Sequence, residues 1–257
     1  MIRPGLVSIS FRALEPAAII DLCVRGGLAA VEWGGDVHVP HGDVAVARRV
    51  GEATRAAGLA VAAYGSYYRA GETDDNPDFA AVLASAQVLG APLIRVWAGK
   101  RGSAQADGEY RARVVADLRR IADLAGPVGV AVACEFHGGT LTDTNESALA
   151  LYHEVAHPNL LAYWQPPVGL TPESCCQGLA ALLPRLSNLH VFHWVVGDDG
   201  KRRREPLELG AACWERYLAL AGQARGDRCA LLEFVRDDCP EQLLADAAAL
   251  RGWLSRA

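Results

Sequence analysis

Two glutamates stand where a carboxylate is costly. Glu135 closes the run Cys134-Glu135-Phe136-His137, and Glu233 sits inside Leu231-Leu232-Glu233-Phe234. Both runs are otherwise apolar, and burying an unpaired carboxylate in such a setting is strongly unfavourable. A bound cation or a basic partner removes that cost. Between the two glutamates come Gln165, in Tyr163-Trp164-Gln165-Pro166, and two histidines, in His190-Val191-Phe192-His193-Trp194. Glu135, Gln165, His190 and Glu233 form an oxygen–nitrogen set suited to Mn²⁺, Mg²⁺ or Co²⁺, with Zn²⁺ less favoured in the absence of thiolates. Such an ion polarises a carbonyl as a Lewis acid and acidifies the neighbouring C–H. Each residue also has a plainer reading. The glutamates would pair with an arginine such as Arg95, Gln165 would satisfy backbone groups before Pro166-Pro167, and a lone histidine is most often hydrogen-bonded core.

For these side chains to meet, they must sit at the ends of neighbouring strands. Apolar runs at 6–11, 29–33, 60–64, 93–97, 129–136, 160–165, 189–194 and 229–235 read as strands. Several are apolar on both alternations, as expected of parallel strands covered on both faces. Period-two alternation puts Glu135 and His137 on one face and groups His190 with Phe192 and Trp194, leaving His193 opposite. Helix signals separate the runs. Pro16 opens the first helix and Gly26-Gly27 closes it. Asp43 caps the second and Gly58 ends it, while Asn76-Pro77 starts the third and Gly90 ends it. The fourth spans 107–125. Asp143-Thr144-Asn145-Glu146 resembles a capping box for the fifth. Thr171-Pro172 and Cys239-Pro240 start the sixth and eighth, and the seventh lies near 210–222.

Eight strands alternating with eight helices predict an α/β fold, a (β/α)₈ TIM barrel formed by residues 1–257 as one domain. A doubly wound sheet would place a glycine-rich phosphate turn after its first strand. Ser10-Phe11-Arg12-Ala13 contains none. Barrel enzymes carry their functional groups at the C-terminal strand ends, which is where the last four runs carry their polar residues. The basic run 201–204 is expected in one loop.

With 51% hydrophobic and 21% charged residues among 257, the chain is long and apolar enough for a large core. A net charge of −5 disfavours nucleic acid as a partner, because phosphate backbones select basic surfaces. No run approaches the ~18 apolar residues of a membrane span, and the first residues lack the continuous apolar stretch of a signal peptide. The seven cysteines show no C-x-x-C spacing and read as reduced thiols packed in the core. The expectation is a cytoplasmic protein with a small-molecule partner, no nucleic acid and no membrane, its homo-oligomeric state left open.

Glu135, Gln165, His190 and Glu233 on the fifth to eighth strands resemble the metal site of the sugar phosphate isomerase/epimerase superfamily, the xylose isomerase-like TIM barrels. Val31-Glu32-Trp33-Gly34-Gly35, Glu135-Phe136-His137-Gly138-Gly139-Thr140 and Leu189-His190-Val191 add to the likeness, which spans the chain. The resemblance implies one divalent metal held by those four residues, with Glu135 and Glu233 also moving the proton beside a carbonyl. The strand-seven register favours His190 over His193 as ligand. Two departures stand out: Phe192-His193 where the family often has Lys-Asp, and Gln165 where most members have Asp. Substrate contacts are expected from His137, from His38 on the long second βα loop, from Trp97 and Tyr64 at strand ends, and from Arg204 for an anionic group. Core packing or a solvated surface is the plainer role for each. The implied reaction is isomerisation or epimerisation of a small sugar or polyhydroxy carbonyl compound, in carbohydrate metabolism. An inosose dehydratase-like lyase and a metal-free ligand-binding barrel are the alternatives. The superfamily's nuclease branch needs more His and Asp ligands than this chain supplies.

Overall fold

The computed structural model describes residues 1–167, 169–197 and 199–256. Strands β1 (Ile2–Val7), β2 (Ala30–Gly34), β3 (Ala60–Arg69), β4 (Leu93–Trp97), β5 (Ala131–Glu135), β6 (Leu160–Trp164) and β7 (Leu186–Val191) follow one another along the chain. A small hairpin, β8 (Trp194–Val196) and β9 (Arg202–Arg204), comes before the last strand, β10 (Arg228–Leu232). The closed barrel runs β1-β10-β7-β6-β5-β4-β3-β2, and the hairpin forms a sheet of its own. The seam is made by β1, parallel to both β10 and β2. There Gly5 pairs with Leu231 and Ala30, and a Cβ on it would lie 2.5 Å from the Ala30 carbonyl oxygen, so closure needs glycine. The expected (β/α)₈ barrel is the observed one.

Helices α1 (Pro16–Arg25), α2 (Val44–Ala56), α3 (Phe79–Leu89), α4 (Gly108–Ala125), α5 (Asn145–Val155), α6 (Pro172–Leu182), α7 (Ala211–Ala221) and α8 (Pro240–Leu254) cover the outside. Side-chain oxygens of Asp43, Asp107, Thr144 and Thr171 accept first-turn N–H groups that the helix cannot satisfy itself. Two expected helix starts move. Thr144, not Asp143, caps α5, because Asp143 accepts the Ser103 N–H instead. Asp78 caps α3, while Asn76 bonds both the N–H and the carbonyl of Arg69 and fastens the end of β3.

Strand ends differ too. β1 starts at Ile2, where pairing with Arg228 begins, and Ser8–Phe11 coil into a 3-10 turn rather than extending the strand. β3 continues past Tyr64 to Arg69. β7 starts earlier than residue 189 and stops at Val191, so Trp194 belongs to the hairpin. Arg202–Arg204, expected in a loop, form β9.

The inward phase of the strands positions the site. Ala30, Leu93, Ala133 and Leu231 belong to one buried cluster inside the barrel. Val31, Ile94, Val132 and Leu232 belong to the cluster shared with helix residues such as Ile19 and Leu118. Two residues beyond each inward position come Glu32, Arg95, Glu135 and Glu233, all buried. Among the described residues no helix is long and apolar enough to cross a membrane, and all seven cysteines are free.

Candidate active site

Arg95 is the hub of the buried polar layer. Its Nε donates to Glu32 Oε1 at 2.6 Å, and its Nη1 donates to Glu135 Oε2. Trp97 Nε1 donates to the same Glu135 oxygen at 2.6 Å. The second Glu135 oxygen accepts from Gln165 Nε2 at 3.1 Å and lies 3.4 Å from His190 Nδ1. The Gln165 amide is oriented by the Phe136 carbonyl, which can only accept and takes Nε2–H at 2.5 Å, so Oε1 faces the other way. His190 Nε2 lies 3.2 Å from Glu32 Oε2, an oxygen that also accepts from the Tyr163 hydroxyl. On its other side, His190 Nδ1 is 3.3 Å from Glu233 Oε2.

Three buried atoms here have no hydrogen-bond partner: His190 Nδ1, Glu233 Oε2 and Gln165 Oε1. Each such orphan costs on the order of 1–3 kcal/mol. His190 Nδ1 and Glu233 Oε2 lie 3.3 Å apart, and a proton or a metal cation between them would satisfy both. Glu135, His190 and Glu233 offer ligand atoms within 4.8 Å of one another, and the donor chemistry fits a hard or borderline divalent ion.

Electrostatics separate the two glutamates. Burial pushes Glu135 up, but Arg95 and His190 outweigh it and hold its carboxyl well below the usual range. Burial, reinforced by the charge on Glu135, raises Glu233 to about 7 against the pull of His190. Burial would lower His190, yet Glu233 and Glu32 raise it to about 10. Without a metal the imidazolium is the cation that these carboxylates surround. A divalent ion on Nδ1 replaces that proton.

A cavity of about 580 Å³ opens above the cluster, with Glu135, Gln165 and Glu233 in its wall. Trp97 and His137 border it, their rings 4.7 Å apart, and His137 Nδ1 donates to the Gly138 carbonyl at 2.7 Å. Phe192, Trp194 and Phe234 pack into an aromatic shelf on the opposite side. Phe234 has φ 54, a left-handed turn directly after Glu233 that sends its ring onto the shelf.

Of the residues expected from the sequence, Glu135, Gln165, His190, Glu233, Trp97 and His137 come together. The others lie elsewhere. Tyr64 pairs with Trp33, which bonds Thr54 of α2, so both side chains leave the barrel on the helix side. The Tyr64 hydroxyl there meets the Val39 carbonyl and His41 Nδ1, each at 2.7 Å. His38 is buried behind the mouth, its Nδ1 2.9 Å from Ser8 Oγ and its ring edge-on to Trp33. Arg204 is drawn off by Asp238 at 2.6 Å, and Arg202 borders the cavity instead. His193 packs at the start of α7, so close to Gly210 that a Cβ there would be 2.8 Å from Nδ1. Glu32, Tyr163 and Arg12 are further parts of the site beyond the expected residues, whereas the hydroxyl run 64–68 at the end of β3 does supply Tyr67 to the cavity wall. For Glu32 a signal existed, a carboxylate in the apolar strand Ala30–Gly34 on the phase of Ala30.

The fold and the cluster define a barrel with a candidate metal centre at its C-terminal mouth. The profile of the xylose isomerase-like TIM barrel family matches residues 20–256, and the chain belongs to that family. A 3-dehydroshikimate dehydratase of Bacillus anthracis is 43% identical over 129 residues, a stretch that is 48% of this chain and only 44% of that protein. The solved structure of a probable 3-DHS dehydratase, AsbF, involved in petrobactin synthesis in Bacillus anthracis, superposes with a TM-score of 0.80 at 21% identity, covering 97% of this chain and 99% of that one. The D-allulose 3-epimerase of a Methylomonas species does so with a TM-score of 0.72 at 18% identity, covering 100% and 98%. The IOLI protein with a bound zinc atom gives 0.76 at 14% identity, covering 99% of both chains. These structural likenesses are likenesses of fold.

Proposed function

We propose that this chain is a divalent-metal-dependent dehydratase of a small cyclic hydroxyketone bearing a carboxylate, of the 3-dehydroshikimate type. The observation that carries the reading is the buried cluster of Glu135, His190 and Glu233, whose ligand atoms lie within 4.8 Å of one another beside a cavity of about 580 Å³ that Glu135 and Glu233 help to wall. The dehydratase relative supports the lyase over the isomerase or epimerase expected from the sequence.

Glu135, Gln165, His190 and Glu233 would hold the ion. When bound, it supplies Lewis-acid polarisation of the ketone and the hydroxyl beside it. 3-Dehydroshikimate carries a ring ketone at C3, hydroxyls at C4 and C5, and a carboxylate on the C1=C2 double bond. Taking the C4 proton leaves an electron pair that forms C4=C5 and expels the C5 hydroxyl, which departs with a proton as water. A proton then moves from C6 to the C3 oxygen and gives 3,4-dihydroxybenzoate.

Glu233 suits the proton transfer, since it lines the cavity and, with Oε2 given to the ion, keeps its other oxygen for the substrate. Glu135 is held ionised by Arg95 and serves as anchor rather than as a second acid/base group. His137, on the cavity wall, is the group to protonate the departing hydroxyl. Arg202 has no carboxylate partner among the described residues and faces the cavity beside Trp194, so it takes the substrate carboxylate. We place the reaction in the cytoplasm, a reading that the seven free cysteines support.

The test is incubation with 3-dehydroshikimate and Mn²⁺, with and without chelator, following the ultraviolet absorbance of dihydroxybenzoate. Metal-dependent appearance of that product is expected. Deuterium uptake into ketoses without it would return the protein to the epimerases. No turnover together with no metal-dependent thermal shift would leave a ligand-binding barrel.

A further inference from the structure

Glu32 is fully buried and does not border the cavity, so it does not meet the substrate. It nevertheless reaches across the barrel from β2 to the imidazole on β7, past the two strands β1 and β10 that stand between them. The carboxylate there can only accept, so Nε2 of His190 carries the proton. A neutral imidazole has one N–H. With it fixed on Nε2, the lone pair of Nδ1 must point at Glu135 and Glu233, 3.4 and 3.3 Å away. Metal-binding histidines are oriented in this way by a carboxylate behind the ring.

Two further observations say that the arrangement is built in. The backbone makes room for it at Gly65, where a Cβ would lie 2.7 Å from both Glu32 Oε1 and Arg95 Nη2. The charges also balance. Glu32, Glu135 and Glu233 against one guanidinium and a divalent ion leave the buried set neutral, provided that His190 is neutral and that Gln165 stands where an acid would add a charge. Without Glu32 the loaded site would hold an unpaired positive charge.

We infer that Glu32 is a positioning residue for the metal site: it fixes His190 as the Nε2–H tautomer and presents Nδ1 to the ion. The inference rests on the reading that the cluster holds a divalent metal.

The test joins two measurements. In Zn²⁺-loaded wild-type protein, long-range ¹H–¹⁵N correlation of the histidine rings reads the tautomer of His190 without any mutation. Nε2–H with a metal-shifted Nδ1 is expected, and Nδ1–H overturns the inference even if the metal binds. Calorimetric titration of metal-depleted protein with Mn²⁺ then compares wild type with Glu32→Gln. A 10- to 100-fold weaker affinity in a variant with native circular dichroism is expected from loss of such a partner. Unchanged affinity overturns the inference alone, whereas a wild-type protein that takes up no ion overturns the metal reading and this inference with it.

Discussion

Two layers of side chains line the inside of this barrel, two residues apart on the same strands. In the lower layer Ala30, Leu93, Ala133 and Leu231 belong to one buried cluster and bring only apolar side chains to it. In the upper layer the next inward residues are Glu32, Arg95, Glu135 and Glu233. Burial is near complete in both, and the backbone is the same. The lower layer returns roughly 25 cal/mol for each Å² of apolar surface removed from water. The upper layer gives much of that back by holding three carboxylates, a guanidinium and an imidazole away from solvent. Stability and chemistry are thus segregated by one step of strand alternation.

The contrast can be broken from either side. Glu233→Gln should lower turnover by about 100- to 10,000-fold, the usual contribution of an acid/base group. The melting temperature of the metal-free variant should hold or rise, since a carboxylate whose burial outweighs the pull of His190 is gone; steady-state kinetics and calorimetry measure the two effects. Leu231→Ala, two residues below, should do the reverse and cost about 2–5 kcal/mol of stability. Turnover per folded molecule should persist, as denaturant titration beside an active-site titration will tell. Arg202→Ala should raise KM about 10- to 100-fold, the worth of a charged hydrogen bond, and leave metal binding alone.

The smallest effect expected is on pH. His190 and Glu233 have folded values of about 10 and about 7, above ordinary values of 6.5 and 4.5. Groups raised on folding stabilise fully below their unfolded values and lose that contribution as pH rises through the folded ones. Metal-free protein should therefore lose stability from pH 4.5 up towards pH 10 on account of these two groups. Added Mn²⁺ should flatten the loss. Melting curves of chelated and loaded protein over that range check it.

Much of this was legible from residue order alone. Helix caps at Asp43, Asp107 and Thr171 and the βα rhythm led to the barrel. Glu135, Gln165, His190 and Glu233 were readable as polar interruptions of apolar strands. Glu32 interrupts its strand in the same way, but its partners, Arg95, Tyr163 and His190, lie far along the chain and become neighbours only once the cylinder closes. Tyr64 leaves the mouth because the register between β2 and β3 shifts at Val31/Glu32, a break in alternation that residue order does not announce. The end of the seventh strand is hidden in the sequence because the stretch 191–196 is almost unbroken in apolar character, although β7 stops at Val191. Arg202 and Arg204 share a hairpin face, and only the position of Asp238 decides which of them stays at the cavity.

The hairpin pairs only with itself, and along the chain it comes between β7, which carries His190, and β10, which leads into Glu233. Residues 192–197 and 199–206 therefore form an exchangeable cassette: they dress the mouth with Trp194 and Arg202 yet contribute no strand to the cylinder. Descendants of this chain could acquire a new ligand by rewriting that one segment, while the inherited floor and its reactivity passed on unchanged.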